Sequence, residues 1–292
     1  MELKNGFITS LSGGLYTVYK DGVFYKCKAR GVFRAKGVSP IVGDYVDFQI
    51  DEKNNGYILK VHPRKNRLLR PPIANFEQVM IIVSLAHPNI SLSMISRYIL
   101  VSLLADVTPI IIINKVDRED LDKDYLEYMT NILKSFDYEV IQTSAKTKIN
   151  LDLIKSLLAN KKTVITGQSG VGKSSLLNAI FEHELIPTQD ISTALGRGRH
   201  TTRVVEYYPY QNCFIADTPG YSFIEFKIDA QDLSQIYPGF EKYLNKCKFR
   251  GCLHENEVGC QVKVDVEKGI MPKEHYEDYL SFLKEIKTKK EY

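Results

Sequence analysis

The stretch Gly167-Gln168-Ser169-Gly170-Val171-Gly172-Lys173-Ser174 fits the pattern of glycine, any four residues, then Gly-Lys-Ser. The run before it, Lys161 to Thr166, predicts a strand, and the run from Ser174 to Ile180 predicts a helix. A strand, a glycine turn and a helix N-terminus form a phosphate-binding loop, because their backbone N–H groups attract anions. We expect Lys173 to contact the β- and γ-phosphates and Ser174 to bind Mg²⁺. The residues predicted to bind the nucleotide here are Gly167, Gln168, Ser169, Gly170, Val171, Gly172, Lys173, Ser174 and Ser175.

A second loop, Asn114-Lys115-Val116-Asp117, predicts which base is bound. It follows the apolar run Pro109 to Ile113, a predicted buried strand, and ligands bind at the carboxyl ends of strands in α/β sheets. A carboxylate at Asp117 can accept from the N1–H and the 2-amino group of guanine. Adenine lacks the N1 proton and carries its amine elsewhere, so Asp117 predicts GTP over ATP, with Asn114 and Lys115 bracing the loop.

The motif Thr143-Ser144-Ala145-Lys146 follows the next predicted strand, Tyr138 to Gln142. It is the usual companion of such a base loop. We expect Ser144 and Ala145 to close over the guanine.

Two later segments are predicted to sense the terminal phosphate. Asp217, at the end of a predicted strand from Cys213 to Ala216, is expected to hold Mg²⁺ through water, and the Gly220 N–H to meet the γ-phosphate. Upstream, in Arg197-Gly198-Arg199-His200-Thr201-Thr202, a threonine is expected to reach the metal; Thr202 is our choice and Thr201 the alternative. The predicted Mg²⁺ ligands are Ser174, Thr202 and Asp217.

These motifs occur in an inverted order, because the base loop precedes the phosphate loop along the chain. From Glu77 onward, strands alternate with helices, which predicts a mostly parallel sheet covered by helices. The predicted helices are Leu92–Ala105, Asp122–Phe136 and Leu151–Ala159.

Composition favours a globular protein of several domains. The 292 residues are 44% hydrophobic and 25% charged, and the length permits three small domains. The longest apolar stretches, near Val79–Ala86 and Val107–Ile113, are much shorter than the roughly 20 residues that span a bilayer. With no signal-peptide pattern, we expect a cytoplasmic protein with no membrane partner. A net charge of +4 does not by itself argue for nucleic acid.

Short predicted strands separated by turn signals occupy about the first 65 residues. Asp21-Gly22 and Asn55-Gly56 stand at predicted hairpin positions. Five strands suit an oligonucleotide-binding (OB) barrel. The predicted strands are Phe7–Thr9, Leu15–Tyr19, Val23–Lys28, Tyr45–Ile50 and Tyr57–Val61.

One side of this predicted barrel is basic, and Phe24, Tyr25 and Phe33 are interleaved with its cations. This pattern favours phosphate contacts plus base stacking, and hence RNA binding. The alternative is a solvated barrel face whose aromatic residues belong to the core. A second basic run, from Lys60 to Arg70, leads into Pro71-Pro72 and predicts a linker. The cations of the first set are Lys26, Lys28, Arg30, Arg34 and Lys36.

Cys247, Cys252, His254 and Cys260 predict one structural Zn²⁺ site. Three thiolates and an imidazole fill all four tetrahedral positions and leave none for an activated water. A disulfide framework is the competing interpretation, but a cytosolic setting and an odd count of 5 cysteines argue against it. The other two, Cys27 and Cys213, are expected to be inert core residues. Further on, apolar residues at helical spacing predict an amphipathic C-terminal helix: Tyr276, Tyr279, Leu280, Leu283 and Ile286. The lysines of this tail, Lys284, Lys287, Lys289 and Lys290, are expected to form a solvated face, with an RNA contact as the alternative.

These motifs, in this order, resemble the circularly permuted GTPases called ribosome small-subunit-dependent GTPase A (RsgA, also YjeQ or YloQ). The resemblance covers essentially the whole chain. It implies a multidomain α/β protein: a five-stranded OB-type β-barrel over residues 1–67, a circularly permuted P-loop GTPase domain over 68–225, and a C-terminal zinc-knuckle and helical domain over 226–292. It also implies GTP hydrolysis stimulated by the small (30S) ribosomal subunit, contact with 16S rRNA, a role in late maturation of that subunit, and release from it.

The resemblance bears on catalysis as well. Gly220 is followed by Tyr221, where a water-orienting glutamine is usual, so slow intrinsic turnover is expected, with the missing group supplied on binding the subunit. His200 matches the family's switch histidine, which would help to position water or report ribosome contact; the alternative is a solvated loop histidine. The catalytic set is therefore Lys173, Ser174, Thr202, Asp217, Gly220 and His200. We expect a monomer that binds GTP and GDP, and inhibition by guanosine tetraphosphate is left open.

Two other functions stay open at this stage. One is a GTP-gated RNA-binding module whose hydrolysis is incidental. The other is a metal-delivery GTPase, which a complete four-ligand set weakens. Because the Asp217–Gly220 loop leads directly into the zinc domain, we expect GTP to align that domain against the core and hydrolysis to relax it.

Overall fold

The computed structural model describes residues 3–29, 31, 33, 39–181, 205–218 and 228–289. Several residues singled out above lie outside these ranges: the switch residues His200, Thr201 and Thr202, the γ-phosphate residue Gly220, and the barrel cations Arg30, Arg34 and Lys36.

The N-terminal strands are β1 (Leu3–Ser12), β2 (Leu15–Lys20), β3 (Val23–Ala29), β4 (Tyr45–Ile50) and β5 (Gly56–Val61). They close into a barrel in the order β1-β2-β3-β5-β4, which confirms the predicted OB-type barrel. β3 and β5 pair in parallel, whereas the other neighbours are antiparallel. The barrel has a core of its own, formed by Ile8, Tyr16, Val18, Cys27, Phe33, Val46, Phe48 and Ile58.

Asp21 and Gly22 form the β2–β3 turn with φ angles of 49° and 84°, as predicted. The β4–β5 prediction was wrong in detail. There the residue with positive φ is Asn54, at 64°, and Gly56 is already the first residue of β5. A glycine is needed at position 56 because a Cβ would lie 2.4 Å from Cys27 Sγ.

The prediction for Phe33 was also wrong. Expected as a stacking aromatic, Phe33 is only 8% exposed and belongs to the barrel core. Phe24, by contrast, is exposed. Cys27 and Cys213 are buried, which confirms them as core residues, and burial raises the pKa of each thiol to about 11.

An antiparallel ribbon of β6 (Arg67–Leu69) and β7 (Pro72–Ala74) joins the barrel to the rest of the chain. The basic run therefore contains regular structure rather than a plain linker. Two hydrogen bonds tie the ribbon to the barrel, from Ala74 N to Val42 O at 2.9 Å and from Asn75 Nδ2 to Gly43 O at 2.9 Å. Gly43 has a φ of 92° and lies so close to the Ala74 backbone that no Cβ would fit.

The central sheet contains β8 (Gln78–Ser84), β9 (Ile110–Asn114), β10 (Val140–Gln142), β11 (Lys162–Thr166), β12 (Tyr207–Tyr210) and β13 (Cys213–Asp217). Its order is β10-β9-β8-β11-β13-β12, and β12 pairs antiparallel with β13 while the other pairs are parallel. Strand β8 is buried on both faces. Its side chains alternate, with Ile81 in one core cluster and Ile82 in the other.

Helices cover both faces of the sheet. The first face packs against α1 (Leu92–Leu103) and α2 (Lys123–Ser135), and the second against α3 (Leu151–Leu158) and α4 (Lys173–Phe181). The side chain of Asp122 caps α2 by accepting from Asp124 N and Tyr125 N. These helices match the predicted ones to within one or two residues at each end. In the part of the chain that the structure describes, no helix is long and apolar enough to cross a bilayer.

The C-terminal region, residues 228–289, contains α5 (Ala230–Ile236), a 3₁₀ turn (Glu241–Tyr243), α6 (Gln261–Glu267) and α7 (Lys273–Lys289). It packs on α1 and α2. The imidazole of His275 stacks on the Phe136 ring at 4.6 Å. The Arg97 guanidinium lies 4.1 Å from the Phe282 ring centroid, and its Nη2 is 3.1 Å from Glu285 Oε2. One continuous core therefore runs from the sheet into the C-terminal helices.

The predicted apolar face of α7 was right for Tyr279, Leu283 and Ile286, all of which are buried. The prediction missed His275 and Phe282, which are buried on the same helix. Lys287 was expected to be solvated; 41% of its side chain is exposed, and its Nζ also lies 2.6 Å from Glu255 Oε2 in the Cys/His loop.

Candidate guanine-nucleotide site and Cys/His metal centre

The phosphate loop connects β11 to α4, and its shape depends on two glycines. Gly167 has a φ of 142°, and an added Cβ would lie 1.9 Å from the Ile82 carbonyl oxygen. Gly172 has a φ of 91°, and an added Cβ would lie 2.6 Å from Asn114 Nδ2. Any side chain at either position would therefore push the loop away from the strand or from the base loop.

Lys173 is the first residue of α4 and points back into the loop. Its Nζ donates to Gly167 O at 2.8 Å and to Gln168 O at 3.0 Å. Ser174 and Ser175 follow in the first turn of the helix, where free backbone N–H groups and the helix dipole favour anions. The loop thus places the Lys173 ammonium group beside a helix N-terminus whose first turn carries Ser174 and Ser175.

The base loop is braced against the phosphate loop by Asn114, the last residue of β9. Its Nδ2 donates to Val171 O at 2.9 Å, and its Oδ1 accepts from Ala145 N at 3.3 Å. Lys115 adds a second link, because its Nζ donates to Gly170 O at 2.6 Å. Burial lowers the pKa of Lys115, and the nearby Arg118 lowers it further. The predicted bracing role of Asn114 and Lys115 thus has a definite geometry.

Asp117 faces the companion motif. Its Oδ1 accepts from Ser144 Oγ at 2.5 Å, and Ser144 Oγ in turn accepts from Thr147 N at 3.0 Å. This contact fixes the carboxylate at the edge of a cleft of about 660 Å³. The cleft is lined from the base loop, the companion motif and the phosphate loop: Asn114, Lys115, Asp117, Arg118, Glu119, Asp120, Ala145, Lys146, Gly172 and Ser175.

Asp217 ends β13, beside the strand that feeds the phosphate loop, and pairs in register with Ile165. Thr218 locks this end of the strand, since its N and its Oγ1 each donate to Ile165 O at 2.9 Å. The predicted metal-side carboxylate therefore lies one strand away from the start of the loop. Of the predicted Mg²⁺ ligands, Ser174 and Asp217 are described and Thr202 is not.

Sequence reasoning missed part of the cleft. Arg118 Nε and Nη2 contact the two carboxylate oxygens of Asp120 at 2.6 and 2.8 Å, a two-pronged pair on the cleft wall. The signal was present, because Arg118-Glu119-Asp120 directly follows the base loop.

The four predicted metal ligands come together. The ligand atoms of Cys247, Cys252, His254 and Cys260 all lie within 4.8 Å of one another. His254 Nδ1 is the imidazole atom that faces the sulfurs, 3.3 Å from Cys260 Sγ and 3.6 Å from Cys247 Sγ. Burial lowers the pKa of His254 and raises the pKa of the Cys252 thiol to about 12. A cation is what would hold buried thiols as thiolates, so the donor set fits zinc.

The chain around this cluster is tightly held. Glu257 accepts from Leu253 N at 2.8 Å and from Glu255 N at 2.9 Å. From α7, the Tyr279 and Tyr276 hydroxyls donate to the carbonyls of Leu253 and His254. The ligand loop is thus fixed to the helix that completes the shared core.

One edge of the sheet carries a phosphate loop, an Asn-Lys-x-Asp base loop and the predicted metal-side aspartate, which are the features of a P-loop GTPase with circularly permuted motifs. A family model described as RsgA GTPase matches residues 61–227, and one described as RsgA N-terminal domain matches residues 5–58. The chain belongs to the RsgA GTPase family.

Relatives agree over nearly the full length. The chain is 43% identical to the small ribosomal subunit biogenesis GTPase RsgA of Geobacillus kaustophilus over 99% of each sequence. It is 40% identical to RsgA 1 of Listeria monocytogenes over 99% of each. The crystal structure of YloQ, a circularly permuted GTPase, matches with a TM-score of 0.79 at 34% identity, covering 99% of this chain and 96% of that one. YjeQ from Thermotoga maritima matches with a TM-score of 0.81 at 29% identity, covering 98% and 99%. The chain is therefore a GTP-hydrolysing enzyme.

Proposed function

We propose that this GTPase binds the small ribosomal subunit during its late maturation, contacts 16S rRNA, hydrolyses GTP faster when bound, and is then released. The observation that carries this proposal is the combination of a braced guanine cleft with a basic barrel and a Cys/His cluster in one chain. The curated relatives named above are small ribosomal subunit biogenesis GTPases, which supports the choice of partner. We propose a cytoplasmic monomer.

In the cleft, Asp117 selects guanine, and Ser144 holds its carboxylate in place through the 2.5 Å contact. Asn114, Lys115, Val116 and Ala145 shape the wall on which the base lies. The loop from Gly167 to Ser175 surrounds the phosphates, and Lys173 exchanges its two carbonyl contacts for phosphate oxygens. Guanosine tetraphosphate would compete wherever GDP fits.

Ser174, Asp217 and Thr202 are the residues proposed to hold Mg²⁺, which would neutralise charge between the β- and γ-phosphates. Gly220 would meet the γ-phosphate, and His200 would help to position water. Tyr221 stands where a glutamine carboxamide usually orients the attacking water. We propose that the bound subunit supplies or orders the group that orients this water. Turnover by the free protein would then be slow.

The Cys/His cluster is proposed to hold one structural Zn²⁺. All four donors come from protein, so the ion would crosslink the loop from Cys247 to Cys260 rather than act on substrate. A complete set of four ligands, three of them buried, also argues against metal delivery.

Single-turnover GTP hydrolysis, measured with and without purified small subunits, tests this function. We expect stimulation by orders of magnitude from small subunits and none from large subunits, which serve as the control. The Asp117→Asn variant should lose stimulated GTP hydrolysis and gain hydrolysis of xanthosine triphosphate, whose 2-carbonyl can accept from the amide. Tight GTP-dependent binding without stimulation would instead indicate a GTP-gated RNA-binding module.

A further inference from the structure

The loop between two of the cluster ligands presents an aromatic ring to solvent. Phe249 lies between Cys247 and Cys252 and is 50% exposed. Among the phenylalanines that the structure describes, only Phe24 is similarly exposed, at 48%. A metal bound to the flanking cysteines would hold this loop, and Lys248 N donates to Gly259 O at 3.1 Å across it. The ring is therefore displayed from a fixed loop.

Phe249 borders a groove of about 390 Å³, and because Cys247, Cys252 and His254 also line it, part of that volume is the metal site itself. We call it the knuckle groove; it lies between the Cys/His loop and helix α5. The exposed amides of Gln235 and Asn245 line it, and neither makes a side-chain hydrogen bond to another described residue. Carboxamides of this kind can donate to and accept from the edge of a nucleobase.

Charge along the knuckle groove is of one sign. Lys248 and Arg250 line it on either side of Phe249, and no carboxylate is among the described residues of its lining. The sequence from Lys242 to His254 contains no acidic residue at all. Lys248 Nζ lies 5.4 Å from the Phe249 ring centroid. A ring flanked by cations and amides suits a ligand with an anionic backbone and a flat base whose edge can form hydrogen bonds.

We propose that the knuckle groove binds one unpaired base of single-stranded RNA, stacked on Phe249, with the adjoining phosphates held by Lys248 and Arg250. Stacking on an aromatic ring and phosphate contacts by neighbouring cations are how proteins bind single-stranded RNA. The proposal rests on the proposed function, because it names the kind of rRNA element that the C-terminal region contacts.

The absence of tryptophan from the chain provides a direct assay. The Phe249→Trp variant of the zinc-loaded full chain carries a single tryptophan at the proposed platform. Titration with a mixed-sequence 12-nucleotide RNA should quench its emission saturably, because a stacked base quenches indole, and the same RNA in a duplex should not. The matched control is Val258→Trp, since Val258 is 76% exposed in the same loop system but lies outside the knuckle groove. No quenching of Phe249→Trp, or equal quenching of both variants, would overturn the proposal.

Affinity for small subunits, measured with a non-hydrolysable GTP analogue, gives an independent readout. Phe249→Ala should weaken binding roughly 5- to 150-fold, the range for losing one base stack, while Phe249→Trp and Val258→Ala bind as the unchanged chain does. Equal zinc content in all variants verifies folding. If Phe249→Ala weakens binding while Phe249→Trp shows no RNA quenching, the groove contacts a protein and the proposal is wrong. If the unchanged chain does not bind subunits, the proposed function fails. The RNA titration still decides whether the knuckle groove binds single-stranded RNA.

Discussion

The barrel and the C-terminal region are attached to the GTPase sheet in different ways. The barrel has a closed core of its own, and it meets the sheet through aromatic rings and a β-bridge between Ser10 and Glu206, with Phe7 also buried in the cluster that covers the sheet. Phe7 lies 5.1 Å from Tyr207 and 5.3 Å from Phe214, and Tyr19 lies 5.0 Å from Phe214. The C-terminal region has no separate core, because its buried side chains continue the cluster that covers one face of the sheet. The first is a docked module and the second an integral layer.

This difference changes how nucleotide state is expected to reach RNA. The motif order suggested a zinc domain that GTP aligns and hydrolysis relaxes. The shared core opposes such independent movement, because separating the C-terminal region would expose residues such as Phe136, Tyr237 and Phe240. The C-terminal region would instead move with the sheet as one body. Any large reorientation relative to the sheet is expected for the barrel, because fewer contacts would break there.

The largest effect is expected from the metal ligands. Cys252→Ser should release the metal and lower the free energy of unfolding of the whole GTPase by more than about 4 kcal/mol, since structural zinc contributes about 10–16 kcal/mol in small domains. Urea titration followed by bound fluorescent GDP and by zinc content checks this. Cys27→Ser, in the barrel core, is the control and should leave GDP affinity unchanged. Normal GDP binding at an unchanged urea midpoint in Cys252→Ser would break the comparison.

A matched pair of phenylalanine deletions is expected to be next in size. Phe136→Ala removes the ring that stacks on His275 and should cost about 3–5 kcal/mol, lowering the midpoints for zinc retention and GDP binding together. Phe48→Ala empties a similar volume in the barrel and should lower only the barrel transition, which circular dichroism and hydrogen exchange can follow. If Phe136→Ala lowered the midpoint for zinc retention without lowering the midpoint for GDP binding, the C-terminal region would be as separable from the sheet as the barrel is.

Acid should weaken the shared core through His275. Burial lowers the pKa of His275 to about 4, and its Nε2 donates to Pro238 O at 2.8 Å, so the folded state binds the proton less readily than the unfolded chain. Stability is therefore complete above pH 6.5 and falls by up to about 3 kcal/mol as pH drops from 6.5 to 4. The measurement is the pH dependence of unfolding, with zinc content recorded at each pH. His275→Gln should flatten this slope, and an unchanged slope would contradict the assignment.

The smallest effect is expected at the rings between barrel and sheet. Tyr19→Ala removes the edge contact with Phe214 and should cost about 1 kcal/mol. GDP affinity and zinc content should not change, whereas amide exchange in β1 and β2 should accelerate. A decrease of several kcal/mol in the free energy of unfolding, or weaker GDP binding, would show that the barrel is as firmly joined to the sheet as the C-terminal region is.

The sequence alone predicted those parts of the site in which the chemistry requires fixed residue types at fixed spacing. The phosphate loop, the base loop and the Cys/His cluster each need fixed residue types at fixed intervals, so they could be predicted with the barrel and the sheet. Periodicity reports that a residue is buried but not what it packs against. It therefore missed His275 on Phe136 and assigned Phe33 to the surface. The β4–β5 turn was misplaced because the Asp51 carboxylate, which accepts from the Lys53 and Asn55 amides, shapes the loop before Gly56.

Hydrogen exchange of the zinc-loaded, GDP-bound chain at increasing urea tests the central claim most directly. The account predicts that amides of α7 in the C-terminal region and of β8 in the sheet lose protection in one transition with the same midpoint, while β2 and β4 of the barrel follow a separate one. If α7 lost protection at lower urea while β8 stayed protected, the C-terminal region would be an independent appendage, and the account would be contradicted.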